Sequence, residues 1–133
     1  VGELALFAYL CGEFNIPMIF VSGDDATCRE ANDLIVGITT VAVKQGLSRH
    51  SAISLSPKEA QHRIRQGIIQ AFKKHRKKPV EPLICKPPYV LEKRYLSVTA
   101  ADSVENWPFT SRIDDRTVQM TSEHLLDIIW GGP

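Results

Sequence analysis

An α/β fold is the class this sequence predicts, and three features carry the prediction. Apolar segments with helical and strand-like character alternate through the first half of the chain, the rhythm of folds in which helices cover a parallel sheet. Pro17-Met18-Ile19-Phe20-Val21 is a continuous apolar run, the pattern of a parallel strand covered on both faces. Ser56-Pro57-Lys58-Glu59 then opens a long amphipathic segment with a strong helix-start signature.

Taken in order, Gly2 to Phe14 reads as a helix that is apolar nearly all round, so it is expected to be buried on most sides. Asn15 ends it. The strand Pro17–Val21 closes at Ser22-Gly23-Asp24-Asp25, and a second helix runs from Ala26 to Leu34. Asp24 or Asp25 caps this helix, because a carboxylate accepts from orphan amides and complements the dipole. Thr39 to Val43 is the next strand, followed by a polar loop from Lys44 to Ala52. The helix starting at Ser56 carries an apolar stripe of Ala60, Ile64, Ile68, Ala71 and Phe72, with Glu59 completing a capping box, and frays at Lys73–Lys78. Pro79, Pro82, Pro87 and Pro88 mark an extended connector. Beyond it, Tyr89 to Val98 reads as a strand, Ala100 to Asn106 as a short helix with Asp102 in its first turn, and Arg116 to Met120 as a strand. Ser122 caps a last helix through Leu125-Leu126-Asp127-Ile128-Ile129-Trp130.

The chain has 133 residues, 44% hydrophobic and 23% charged, with a net charge of +1. This describes a globular chain rather than a disordered one and gives no electrostatic footprint for nucleic acid or an anionic membrane. Cys11, Cys28 and Cys85 form an odd set without C-x-x-C spacing, which disfavours a disulfide framework and a cysteine zinc site and suits a reducing cytoplasm. The apolar start lacks a basic leader, contains Glu3 and Glu13, and reaches Gly12 well short of a membrane span. Both ends are abrupt and apolar, as expected for part of a larger protein or a chain that needs a partner.

Among candidates for chemistry, Glu3 stands out as a lone acid at the head of an apolar helix. A charge in apolar surroundings is normally paired or metal-bound. Asp24 and Asp25 lie at the carboxyl end of a predicted parallel strand, where open α/β sheets place their sites; helix capping plus a turn is the favoured account of them, and a Mg²⁺-dependent, receiver-like use is the other option. Lys44 and Arg49 follow the next strand and suit a substrate carboxylate or a neighbouring subunit. The basic run Lys73–Lys78 complements a helix C-terminus. His62 and His75 are expected to face solvent, and no two histidines stand at i, i+4. No G-x-G-x-x-G, P-loop or G-x-S-x-G is present.

The ordered series Val1-Gly2-Glu3-Leu4, Pro17 to Ser22, Gly23-Asp24-Asp25, Thr40-Val41-Ala42-Val43-Lys44-Gln45, Ser48-Arg49 and Leu55-Ser56-Pro57 resembles the C-terminal half of the dinuclear-zinc D-aminopeptidases of the dipeptide-transport-operon type. The likeness is close across residues 1–78, is interrupted by the proline-rich connector at 79–88, and continues more weakly over 89–133, mainly at Arg116-Thr117-Val118 and the last helix.

The resemblance implies the C-terminal portion of a larger α/β peptidase fold, a three-layer-like sheet with flanking helices. It also implies a cytoplasmic hydrolase that removes N-terminal amino acids, D-configured ones included, from short peptides or amino acid amides, and that forms ring-like homo-oligomers. Such enzymes bind two Zn²⁺ ions per subunit through an Asp-x-Glu, two histidines, and a glutamate corresponding to Glu3. The Asp-x-Glu and both histidines precede the Val-Gly-Glu segment in the family, so this chain is expected to need the missing N-terminal half for activity. The alternative reading is a non-catalytic assembly or binding module of an oligomer, in which Glu3 pairs with a basic residue.

Overall fold

The computed structural model of the chain describes residues 2–48 and 50–129. The polypeptide divides into two compact units, Val1–Leu83 and Ile84–Pro133.

The first unit contains α1 (Glu3–Glu13), β1 (Phe20–Asp24), α2 (Asp25–Leu34), β2 (Thr39–Ser48), β3 (Ser51–Ser54) and α3 (Pro57–Lys77). The sheet order is β1-β2-β3, with β1 and β2 parallel and β2 and β3 an antiparallel hairpin. Both α2 and α3 pack on β1 and β2, and side-chain alternation puts them on opposite faces. Val21 and Ile19 pack with Ala31 and Ile35 on the α2 side, and Thr40 accepts a 3.0 Å hydrogen bond from Asn32 of α2. Phe20 and Val41, one residue away on each strand, meet α3 at Gly67. The result is the expected α/β architecture, helix on sheet on helix.

The helix that precedes β1 ends as anticipated. Asn15 takes a left-handed φ of 57°, Asn15 N–H donates to Gly12 O and Ile16 N–H to Cys11 O, the paired bonds of a Schellman end. The expectation of burial on most sides is overturned. Only the Ala5, Ala8 and Gly12 face is buried, while Glu3, Phe7 and Phe14 are exposed, because α1 has one main packing partner, α2.

Five further expectations need correction. Lys44 to Ala52 is not a polar loop: β2 continues to Ser48 and pairs back through Gln45↔Ile53 and Gly46↔Ala52. Alternation past Val43 is weak in polarity, so period alone missed it. The helix α3 does not fray at the basic run but continues to Lys77, and His75 does not simply face solvent. It is half-buried and its Nδ1 accepts the Val80 N–H at 3.0 Å, tying the helix end to Val80, itself part of the core with Ala8, Ala31, Ile35 and Ile38. The buried line of α3 is Gly67 and Ala71, flanked by half-buried Ala60 and Ile64, whereas Ile68 and Phe72 are exposed. Ser56 caps α3 by accepting from Glu59 N–H at 3.3 Å, but the Glu59 carboxylate turns to Arg63 at 2.7 Å rather than closing a capping box. His75→Ala is expected to lower stability by about 1 kcal/mol, the worth of one such hydrogen bond, measured by urea unfolding of the intact protein.

The second unit contains β4 (Tyr89–Arg94), α4 (Val98–Asp102), β5 (Thr110–Arg112), β6 (Thr117–Ser122) and α5 (Leu125–Ile129). Its antiparallel sheet has the order β4-β6-β5. The predicted strand to Val98 stops at Arg94, and the short helix starts earlier than predicted, capped by Ser97, which accepts from Ala100 N–H at 3.2 Å. Asp102 therefore ends the helix instead of starting it, and pairs with Arg112 at 3.0 Å. The three-residue β5 was not anticipated; it is too short to show a period. Val118 and Met120, both fully buried on one face of β6, anchor the core. Ser122 closes β6 and bonds into α5, donating to Asp127 at 2.5 Å and accepting from His124 N–H at 3.1 Å.

Candidate functional site

The carboxyl edge of the parallel pair gathers most of the residues singled out from sequence. Asp24 ends β1 and is the N-cap of α2, accepting from Thr27 N–H at 2.7 Å. This bond, with the Thr27 hydroxyl and more weakly Lys44, holds the Asp24 carboxyl below its ordinary value. Asp25 bonds to Arg29 at 2.7 Å, which likewise lowers its pKa. Asp24 thus realises the helix-capping account, and Asp25 stands in the first turn of α2 paired with Arg29. Lys44 pairs in register with Asp24, lies exposed on β2, and borders a shallow pocket with Asp25, Gln45, Ile53 and Leu55. Arg49 lies outside the described residues. His50 is exposed in the hairpin turn.

A depressed folded pKa means that the stabilisation from Asp24 and Asp25 is complete above their ordinary value of 3.8. It is lost as pH falls through the lower folded value. Asp24→Asn keeps a capping oxygen but no titration, so the variant is expected to show a weaker loss of stability between neutral pH and about pH 3. Thermal melts across that range check it.

Glu3 sits in the first turn of α1, exposed, with no hydrogen bond or ion pair to a described residue. Its neighbour Gly2 caps the helix, and a Cβ there would lie 2.7 Å from Glu30 Oε1 of α2. A second carboxylate therefore borders the segment that bears Glu3. Sequence reasoning missed Glu30 because only the packing of α1 on α2 brings it there, and no motif spacing signals that contact. Cys28, one turn into α2, is buried, and desolvation pushes its thiol pKa up, away from reactivity.

Among the described residues, no three His, Cys, Asp or Glu side chains converge where a metal ion would sit. Zinc sites take three or four protein donors. The described residues therefore do not by themselves fit a zinc site, and Glu3 offers it one carboxylate at most. No helix among them is long and apolar enough to cross a membrane.

Comparison with known proteins gives this edge its context. The model of the peptidase M55 family, described as D-aminopeptidase, matches residues 1–130. A D-aminopeptidase of Bacillus subtilis (strain 168) is 34% identical over 128 residues, which is 96% of this chain and 46% of that protein. The solved structure of the Zn-dependent D-aminopeptidase DppA from Bacillus subtilis, described as a self-compartmentalizing protease, superposes with a TM-score of 0.88 at 32% identity. That match covers 98% of this chain and 47% of DppA. The chain thus spans about half the length of the relatives it matches, and over that span, by sequence and by fold, it belongs to the M55 family of D-aminopeptidases.

Proposed function

We propose that this chain is the C-terminal part of a zinc-dependent aminopeptidase that releases N-terminal amino acids, D-configured ones included, from short peptides or amino acid amides. The observation that carries the reading is the likeness to DppA across 98% of the chain at 32% identity. Residues 1–78 form the part closest to the family pattern, 79–88 a connector, and 89–133 a strand and helix extension. Glu3 contributes one carboxylate to a site of two Zn²⁺ ions, and the remaining donors come from a preceding N-terminal half. A two-metal site supplies an activated water and a polarised carbonyl. The residues of this chain provide the frame: α1 presents Glu3, and Lys44 and Arg49 contact the substrate carboxylate or a neighbouring subunit. Likeness to a self-compartmentalizing relative supports a homo-oligomer for the full-length protein; a cytoplasmic location and a role beside peptide transport complete the proposal.

The test is metal content and activity of the full-length protein. About two zinc ions per subunit and hydrolysis of D-alanyl peptides are expected. A full-length protein that assembles, binds no zinc and hydrolyses nothing is instead an assembly module.

A further inference from the structure

The outward face of α3 carries a charge pattern that neither the fold nor the proposed reaction uses. Between Ala60 and Lys78 the chain has seven lysines and arginines and no acid, five of them within Lys73–Lys78. The net charge of +1 hides this block, because residues 1–43 hold six acids and a single cation. A helix C-terminus presents only about half a negative charge, so one or two cations answer it. The others repel: Lys73 and Lys77, like Lys74 and Lys78, stand at i, i+4, a spacing that disfavours like charges. Among the described residues the only ion pair of α3 is Glu59–Arg63, at its start.

Direction divides these cations into two sets. Gly67 and Ala71 mark the side of α3 that faces the sheet. Lys74 and Lys78 share that side: Lys74 donates to Ile38 O at 3.4 Å, and both border a pocket with Pro79 and Leu83. At 3.6 residues per turn, Arg65, Ile69, Phe72, Lys73 and Arg76 fall within about 60° of the opposite direction, with Lys77 flanking them. All six are exposed, Phe72 at 57% and Ile69 at 42%. Two large apolar side chains therefore stand among four cations on the far side of a helix about 30 Å long.

Shape and chemistry select the partner. A peptide is held in a groove or on a strand edge, and this face offers neither; the hollow at Gln61, Ile64 and Ile68 lies to one side of it. A nucleic-acid backbone answers the cations but gives Ile69 and Phe72 no apolar surroundings. The surface of an anionic bilayer answers both, with headgroups for the cations and the acyl boundary for the apolar pair. We infer that the outward face of α3 docks on an anionic phospholipid bilayer, Arg65, Lys73, Arg76 and Lys77 meeting headgroups while Ile69 and Phe72 enter the interface. This goes beyond the peptidase reading and does not depend on it.

Co-sedimentation of the full-length protein with vesicles tests the inference. At 0.1 M NaCl the protein is expected to sediment with vesicles of phosphatidylglycerol and phosphatidylcholine, and to stay in solution with phosphatidylcholine alone. At 1 M NaCl, where the Debye length is ~3 Å, it is expected to come off. Lys73→Ala, Arg76→Ala and Lys77→Ala together are expected to weaken partitioning roughly 100-fold, and Phe72→Ser alone about 10-fold. All four positions are exposed, and a thermal melt checks that the variants fold. No sedimentation with anionic vesicles, equal sedimentation with neutral ones, or an unchanged triple variant overturns the inference. So does binding of a DNA duplex, or salt-dependent self-association, by a protein that ignores vesicles. Zinc content and hydrolysis, measured on the same samples, are expected to be unchanged in the variants. An active protein that ignores vesicles therefore refutes this inference alone, and an inactive one that binds them refutes only the peptidase reading.

Discussion

Glu3→Ala in the full-length protein is expected to lose bound zinc and to lower kcat/KM at least ~100-fold, equivalent to about 2.7 kcal/mol of transition-state stabilisation. It is also expected to melt close to the wild type. The two halves of this expectation have different physical origins. Within the described residues Glu3 is exposed and has no partner, so its contribution to the fold is limited to the interaction of an acid with the first turn of α1. Such an interaction is worth about 0.3–1 kcal/mol. A role as metal ligand, in contrast, makes the carboxylate irreplaceable by a methyl group, because each zinc takes only three or four protein donors. Zinc analysis after dialysis, kcat/KM on a D-alanyl peptide and a thermal melt decide the matter together. Wild-type zinc and rate in this variant would show that Glu3 is not a ligand.

Gly67→Leu is expected to destabilise the protein by about 3 kcal/mol, at the upper end of overpacking costs. Gly67→Ala is expected to be destabilising as well, although alanine is favoured over glycine by about 1 kcal/mol inside a helix. The reason is the close approach of α3 to the sheet. A Cβ at Gly67 would stand 2.5 Å from Val41 Cγ2 and 2.7 Å from Phe20 Cε2. Val41 is β-branched and has few rotamers to escape into, and the Phe20 ring is held in the layer between β1 and α3. Relief requires α3 to lift off the sheet, which also moves Ala71, its other buried residue. Lys73→Ala, on the exposed side of the same helix, is expected to stay within about 0.5 kcal/mol. Urea unfolding of the three variants gives the comparison. If Gly67→Ala proves as stable as the wild type, the helix is free to shift and the glycine is not a packing requirement.

The same glycine shows where sequence reasoning stopped. Period and polarity mark α3 from Ser56 onward, but they nominate Ile68 and Phe72 for its buried stripe. Both are exposed, and the contact falls on Gly67 and Ala71, because helix and strands meet too closely for large side chains. The α1 helix fails in the opposite sense. Its sequence is apolar nearly all round, so period and polarity single out no face, and among the described residues its main partner is α2 on one side.

Local chemistry was legible where the determinant is local. Asn15 at a left-handed helix end, Asp24 as a cap that accepts from Thr27 N–H, and Ser56 before Pro57 each depend on neighbours within a few residues. So was the family, since the ordered segments from Val1-Gly2-Glu3 to Leu55-Ser56-Pro57 survive without any knowledge of their arrangement. The hairpin of β2 and β3, the meeting of Glu30 with Gly2, the bond from Val80 to His75 and the bare edge of β1 are different in kind. Each joins residues from separate turns or elements, and its energy comes from excluding water or pairing backbone groups between surfaces that only the folded chain brings together.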